Sequence, residues 1–420
     1  MEVNLNQNEE YKETELGLLP QDWEVVRLGD IAKKMRAGGT PKKGVKEYWN
    51  GEIPFVLIED MTSCGLYLSK TKETITEEGL KNSNAWLVPE NSLLLSMYAT
   101  IGETAINTVP VATNQAILTI IPKSNFDNVF GAYLLKFNAE RLKMQNIQST
   151  QKNVNKGIVE NFKIPLPPLS EQKKIAFVLS TVQEAKEKTE DVIKALKELK
   201  KSMMKHLFTY GPVPVEEAEH VPLKETEIGL VPEEWEVVRL GDVVEIHDKE
   251  RVPLNSAERS KMIGLYPYCG ANGIIDYVNN YIFDGEFVLL AEDGGFWRKF
   301  ENTAYLMEGK FWVNNHAHII RAIENRSINR FLLYWFIFDN IEKYTSGTTR
   351  KKLNQNVMKK ILIPLPPLSV QQKITSILSA IDQKIEAEEN KKKALEDLFQ
   401  SMLHHLMTAK VRVNHLEVEA

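Results

Sequence analysis

Six cations stand within fourteen residues of this chain: Lys33, Lys34, Arg36, Lys42, Lys43 and Lys46, in KKMRAGGTPKKGVK, with no acid among them. Gly38, Gly39 and Pro41 break the stretch into a loop. Backbone amides and cations in such a loop suit phosphate oxygens. It is not a nucleotide-binding P-loop. Gly39 and Gly44 have the right spacing, but Val45-Lys46 stands where Lys-Ser/Thr is required. A solvated basic loop would look the same, so both readings stay open at this point. A second cluster, Arg350, Lys351 and Lys352, follows Gly347, with Lys359 and Lys360 beyond it and Arg298 and Lys299 upstream. Lys152 and Lys156 mark the corresponding stretch of the first half more weakly.

Trp312 opens WVNNHAH, which carries Asn314, Asn315, His316 and His318. Amide side chains can pair bidentately with an adenine edge, which suits base readout. The two histidines could ligate a metal, but no carboxylate or third ligand is recognisable nearby in sequence. Hydrogen bonding within strand and turn is the favoured use, and no metal site is expected. No catalytic constellation emerges: there is no Gly-x-Ser-x-Gly elbow and no His-Glu-x-x-His. A Gly-x-Gly-x-x-Gly cofactor turn is missing, as is the Asn/Asp-Pro-Pro-aromatic tetrapeptide of an amino-methyltransferase. The residues describe a reader or connector with no cofactor of its own.

The elements that must position these groups are written twice. KETELGLLPQDWEVVRLGDI at 12–31 and KETEIGLVPEEWEVVRLGDV at 224–243 are identical at fifteen of twenty positions, at an offset of 212. IPLPPLS at 164–170 recurs at 363–369, an offset of 199 that holds through KSMMKHLFT at 201–209 and QSMLHHLMT at 400–408. The first interior is therefore longer by 212 − 199 = 13 residues. The interiors, about 31–154 and 243–353, show no convincing sequence similarity to each other. A copied frame with diverged contents suggests two different ligand features read by one rigid object.

Within the interiors, strands are expected at Ile53–Ile58, Ser92–Tyr98 and Ala116–Ile121, then at Gly273–Val278, Phe287–Ala291 and Ala317–Arg321. Helices are expected at Val129–Asn138 and Ile328–Phe338. Tyr48, Trp49, Trp86, Tyr268, Trp297 and Trp335 read mostly as core. After IPLPPLS the character changes. No Gly or Pro occurs from Ser170 to Phe208 or from Ser369 to Met407. Ser170 and Ser369 are natural N-caps, and Ser369 with Gln372 completes a capping box. Ile175, Val178, Val182, Ala185, Val192, Leu196, Leu199 and Met203 form a heptad seam interrupted at Thr189, and Ile374, Ile377, Ile381, Leu395, Leu398 and Met402 occupy corresponding places. Thirty-eight residues at about 1.5 Å each make a rod of roughly 57 Å. A lone rod would leave its stripe wet, so the two rods should pair antiparallel.

At 420 residues the chain has room for two or three domains. Its 43% hydrophobic and 26% charged content excludes a disordered chain. Two distant cysteines exclude a disulfide framework. Met1 to Gln21 is polar, and the longest apolar run, Phe331 to Phe338, is far short of a membrane span, so a cytoplasmic protein is expected. A net charge of −5 gives no overall support to nucleic-acid binding, and acids such as Glu216, Glu217, Glu219, Glu225 and Glu227 gather between the repeats. A positive field must therefore be local.

The chain resembles the specificity (S) subunit of type I restriction–modification enzymes. The matching features are LGLLPQDWEVVRLGDI and IGLVPEEWEVVRLGDV, both IPLPPLS-x-Q segments and both long helices. GGTP at 38–41, YWNGEIPF at 48–55, LVPENSLLLS at 87–96 and ATNQA at 112–116 also match, as do YPYCGANGI at 266–274 and KFWVNNHAH at 310–318. The resemblance implies an α+β fold with a pseudo-two-fold internal repeat, in which two target-recognition domains sit at opposite ends of an antiparallel pair of long helices. The boundaries are then 1–163 and 212–362 for the recognition domains and 164–211 and 363–420 for the helical spacers. It implies a non-catalytic chain that reads a bipartite, asymmetric site on double-stranded DNA. Its partners would be two methyltransferase (M) subunits, holding S-adenosylmethionine, and restriction/translocase (R) subunits using ATP and Mg. The family offers no residue-by-residue contact code. The expected DNA-contacting groups, chosen by charge and side-chain type, are Lys33, Lys34, Arg36, Lys42, Lys43, Lys46, Lys152, Arg298, Lys299, Asn314, Asn315, His316, Arg350, Lys351 and Lys352. A duplicated coiled-coil adaptor whose globular ends bind proteins is the competing class.

Overall fold

The two copied segments of each repeat meet. In the computed structural model, which describes residues 10–145 and 153–417, Glu24–Arg27 pairs antiparallel with Lys163–Leu166. Glu236–Arg239 pairs the same way with Leu362–Leu365. IPLPP is thus extended, as its prolines require, and its first half is a strand of a two-stranded ribbon. Such an edge setting tolerates Pro165 and Pro364, which bring no N–H.

Contacts divide the chain into two compact units, Met1–Lys188 with Lys392–Ala420, and Thr189–Lys391. The divisions fall inside the two long helices, Leu169–Tyr210 and Leu368–Met407, so each unit takes a part of both. In the first unit the start of one helix lies against the end of the other. Ile175 and Leu179 share a core with Phe399, Leu403 and Leu406, and Lys186 pairs with Glu396 at 2.7 Å. In the second unit Met204, Leu207 and Phe208 share a core with Ile374 and Leu378, and Lys197 pairs with Glu389 at 2.7 Å. Within each unit the helix segments are therefore antiparallel.

Two details of the helices differ from the sequence reading. Each starts on leucine, Leu169 or Leu368, so Ser170 and Ser369 are second residues and not caps. The start is tied instead by Gln172 and Gln371, whose amides donate to the carbonyls of Pro167 (2.8 Å) and Pro366 (2.9 Å). The seam is also not a regular heptad. Thr189 and Ile193 are buried while Val192 and Leu199 are exposed, and Leu398 is exposed beside buried Phe399. Each helix packs against a globular interior as well as its partner, so its buried face turns with its surroundings.

The interiors share one scaffold despite their unrelated sequences. In the first unit a sheet runs in the order Ala32–Ala37, Ile117–Pro122, Leu93–Ser96, Thr104–Asn107, Tyr67–Leu68. In the second the order is Val244–Ile246, Ala317–Ala322, Phe287–Ala291, Ala304–Met307. A helix packs on each, Asn128–Phe137 through Phe130 and Leu134, and Asn329–Phe338 through Phe331 and Trp335. A smaller sheet in each unit holds a parallel pair, Trp49–Val56 with Ala112–Thr113, and Ile263–Gly270 with Lys310–Val313. Tyr268, Trp297 and Trp335 are core, whereas Tyr48, Trp49 and Trp86 are half-buried. Among the described residues no helix is long and apolar enough to cross a membrane.

Candidate nucleic-acid interface

In the first unit the basic loop is built where the two sheets meet. Strand Ala32–Ala37 pairs with Ile117–Pro122, setting Arg36 opposite Thr119. Lys33, Lys34 and Arg36 project to solvent. Lys34 Nζ stands 4.3 Å and the Arg36 guanidinium 5.4 Å from the centre of the Trp86 ring, which holds both cations over an aromatic face. The strand ends in Gly38 and Gly39, whose N–H groups donate to the carbonyls of Ile117 (3.2 Å) and Thr113 (3.0 Å). Close approach dictates these glycines: a Cβ on Gly38 would lie 1.9 Å from the Thr113 carbonyl oxygen, and one on Gly39 2.6 Å from Asn84. Thr40 donates to Gln115 Oε1 at 2.7 Å, and the Trp49 indole donates to the Lys42 carbonyl at 3.2 Å. So anchored, the loop exposes Lys42, Lys43 and Lys46. None of the six cations makes an ion pair with a described residue. Lys152 lies outside the described residues.

The second unit treats its cations differently. Arg350 pairs with Asp293 at 2.5 Å, Lys352 with Glu292 at 3.0 Å, and Lys351 with Glu342. Arg298 stands 3.7 Å from Glu342. Lys299 lies 3.9 Å above the Phe338 ring, where burial lowers its pKa. Of WVNNHAH, Asn314 is buried, and its Oδ1 accepts the His316 N–H at 2.8 Å, an Asx turn. Its amide is thereby turned inward. His316 Nδ1 sits 2.9 Å from Asp293. Asn315 alone of that segment is exposed, and its side chain makes no hydrogen bond with a described residue.

His318, only 1% exposed, is the centre of a buried polar cluster. Its Nδ1 lies 2.7 Å from Asp248 and its Nε2 2.7 Å from the Leu353 carbonyl. Asp248 also accepts from the Ile319 N–H (3.0 Å) and the Gln355 amide (2.7 Å), and Glu292 accepts from Arg251 at 2.6 Å. Burial would raise both carboxyls. The His318 contact and the Ile319 and Gln355 hydrogen bonds outweigh it at Asp248, as Arg251 and Lys352 do at Glu292, so both lie below their ordinary range. By spacing, Asp248, Glu292 and His318 could hold a metal ion. Both ring nitrogens are already bonded within the chain, however, so the arrangement acts as a structural network. Sequence reasoning missed it because Asp248 is 70 residues from His318.

A parallel pair of strands followed by an Asx turn, next to an exposed basic loop, is a framework for presenting side chains. The chain belongs to the family of the type I restriction modification DNA specificity domain, whose model matches residues 20–198 and again 232–397. It is 27% identical over 427 residues to the type I restriction enzyme MjaIX specificity subunit of Methanocaldococcus jannaschii, covering 97% of this chain and 98% of that one. It is 26% identical to the EcoprrI specificity subunit of Escherichia coli, over 83% of this chain and 85% of that one. The fold is similar to that of the type I restriction–modification S subunit from M. genitalium, with a TM-score of 0.63 at 16% identity, covering 96% and 98% of the two chains.

Proposed function

We propose that this chain reads a bipartite, asymmetric site on double-stranded DNA, one half-site per unit, and docks two methyltransferase subunits together with restriction/translocase subunits. The reading rests on one observation above all: the same scaffold is built twice, and at its exposed surface the two copies carry different side chains. A protein that bound one ligand twice would have little reason to differ there. Cations would contact phosphates and set register, while amides at base edges would carry sequence. Catalysis would belong to the partners, with S-adenosylmethionine in the methyltransferase subunits and ATP and Mg in the restriction subunits. The whole complex would work in the cytoplasm. With a net charge of −5, this chain alone would bind DNA weakly, and its partners would complete the positive channel.

Because each long helix is continuous from one unit into the other, the pair would fix the number of unread bases between half-sites. Two modules on one face of a duplex read sites about one helical turn apart, roughly 34 Å. Genome-wide mapping of adenine methylation with and without this gene tests the reading: a bipartite motif should vanish with the gene. An unchanged methylation map would favour the adaptor class. Deleting one heptad from both helices should then shift the spacer optimum and leave both half-sites intact, and an unmoved optimum would refute the spacing role.

A further inference from the structure

The two units present an amide side chain at one equivalent point, and the match is carried by hydrogen bonds. In the first unit Thr113 lies beside Val56 in the parallel bridge, the Asn114 N–H donates to the Val56 carbonyl, and Asn114 Oδ1 accepts the Ala116 N–H at 2.9 Å. In the second, Val313 lies beside Cys269, the Asn314 N–H donates to the Cys269 carbonyl, and Asn314 Oδ1 accepts the His316 N–H at 2.8 Å. The next bonds agree as well. Met97 N–H donates to the Ala116 carbonyl and Glu292 N–H to the His316 carbonyl, both at 2.8 Å. The residue that follows each Asx asparagine is Gln115 in one unit and Asn315 in the other, and both are exposed.

We propose that Gln115 and Asn315 are the base-reading side chains at equivalent positions of the two half-site readers, each directed at an adenine edge in the major groove. This rests on the function proposed above. An amide is the side chain that offers a donor and an acceptor together, matching N7 and N6 of adenine. The backbone beneath it is fixed on both sides, by the parallel bridge and by the Asx turn, as readout demands of a recognition group. Gln115 is fixed further: its Oε1 accepts the Thr40 hydroxyl, which leaves a second lone pair and the NH2 group for a base. Thr40 also ties it to the loop carrying Lys42 and Lys43, so phosphate contact and base contact would be set by one anchor. The different lengths, Gln and Asn, fit two half-sites approached at different depths.

The test uses the whole complex, with the chain co-expressed with its methyltransferase partner in an unmodified host and adenine methylation mapped. The wild type must yield a bipartite motif, and a wild type with none would overturn the function proposed above and this inference with it. Q115A should relax one base position in one half-site by roughly tenfold or more in relative methylation, leaving the other half-site unchanged. N315A should do the same in the other half-site. Q115E, which exchanges the amide donor for an acceptor, should move the preference at that position from adenine toward cytosine. Variants that retain the wild-type motif, or that weaken both half-sites equally, would overturn the inference. So would a loss of methylation accompanied by a lowered melting temperature in all three, which would mark the two amides as structural.

Discussion

The two units place their charged cores in opposite parts of the same scaffold. In the first, the frame is ionic. Glu171, 3% exposed, accepts the Trp23 indole N–H at 3.0 Å and pairs with Arg412 through two bonds of 2.6 Å. The frame positions that correspond in the second are Trp235, Val370 and Val213, at the offsets of 212 and 199. In the interior the arrangement reverses. Asp248, His318 and Glu292 of the second unit match Ala37, Leu118 and Met97 of the first, as the strand registers and the bonds to Ala116 and His316 show. The frame ladders and the backbone bonds around the Asx turn are the same in both units. What the scaffold specifies is therefore ladder and volume, and either an apolar set or a fully bonded ionic set can fill it.

The surface differs in the same spirit, and there the largest effect is expected. Replacing Lys33, Lys34, Arg36, Lys42, Lys43 and Lys46 with glutamine should weaken the complex on duplex DNA about a thousandfold at low salt and reduce the slope of log K against log salt by about five. Replacing Arg350, Lys351 and Lys352 should change that slope by about one at most, because acids within the unit already neutralise them. Binding measured across a salt series distinguishes the two sets, and equal slopes would end the distinction.

Next in size is the interior exchange. H318L removes the imidazole from the cluster, leaving Asp248 to the Ile319 N–H and the Gln355 amide and Glu292 to Arg251 and Lys352, and should cost about 3–5 kcal/mol in chemical denaturation. D248A with H318L removes the buried carboxyl along with the ring, keeps Glu292 for Arg251 and Lys352, and should recover at least half of that loss. A double variant no more stable than H318L would show that the buried pair is not exchangeable. Acid should pick out the same unit. Asp248 and Glu292 have depressed folded values, so their contribution is present above the unfolded values of about 3.9 and 4.3 and is lost as pH falls through the folded ones. Hydrogen exchange of strand Ala317–Ala322 should therefore accelerate below about pH 4 relative to strand Ile117–Pro122, whose two neighbouring strands, Ala32–Ala37 and Leu93–Ser96, carry no carboxyl. Parallel acceleration of both strands would contradict this.

Local signals made much of this legible. The strands Gly273–Val278 and Phe287–Ala291 lie where alternation and apolar runs placed them, and the copied frame announced the repeat. What lay beyond the sequence was long-range. The shared scaffold of the interiors is carried by backbone bonds, which leave little trace in side-chain identity. A trace does exist: Asn114-Gln115-Ala116 and Asn314-Asn315-His316 stand at an offset of 200, between the frame's 212 and 199. The offset falls by 12 before this turn and by one after it, so nearly all the length difference precedes it. Charge and amide type selected Asn314 and the Arg350 cluster as contacts, but neither burial nor ion pairing can be read from residue type. A single exposed glutamine such as Gln115 has no local signature in the sequence.

The smallest expected effect is the most direct test of the comparison. E171V with R412V gives the first unit the two valines of the second and should cost about 1–2 kcal/mol, mostly for the acceptor lost by the Trp23 indole, since a buried pair and a well-packed apolar substitute are often close in free energy. E171V alone should cost about 3 kcal/mol, because Arg412, 9% exposed, would lose both of its bonds to Glu171. The difference between the single and double variants is thus the informative quantity, and a double-mutant cycle by denaturation measures it. A double variant as unstable as E171V would mean that the pair fixes the tail after the second helix in a way that packing cannot replace. The two units would then be alike in backbone but not interchangeable in what holds it.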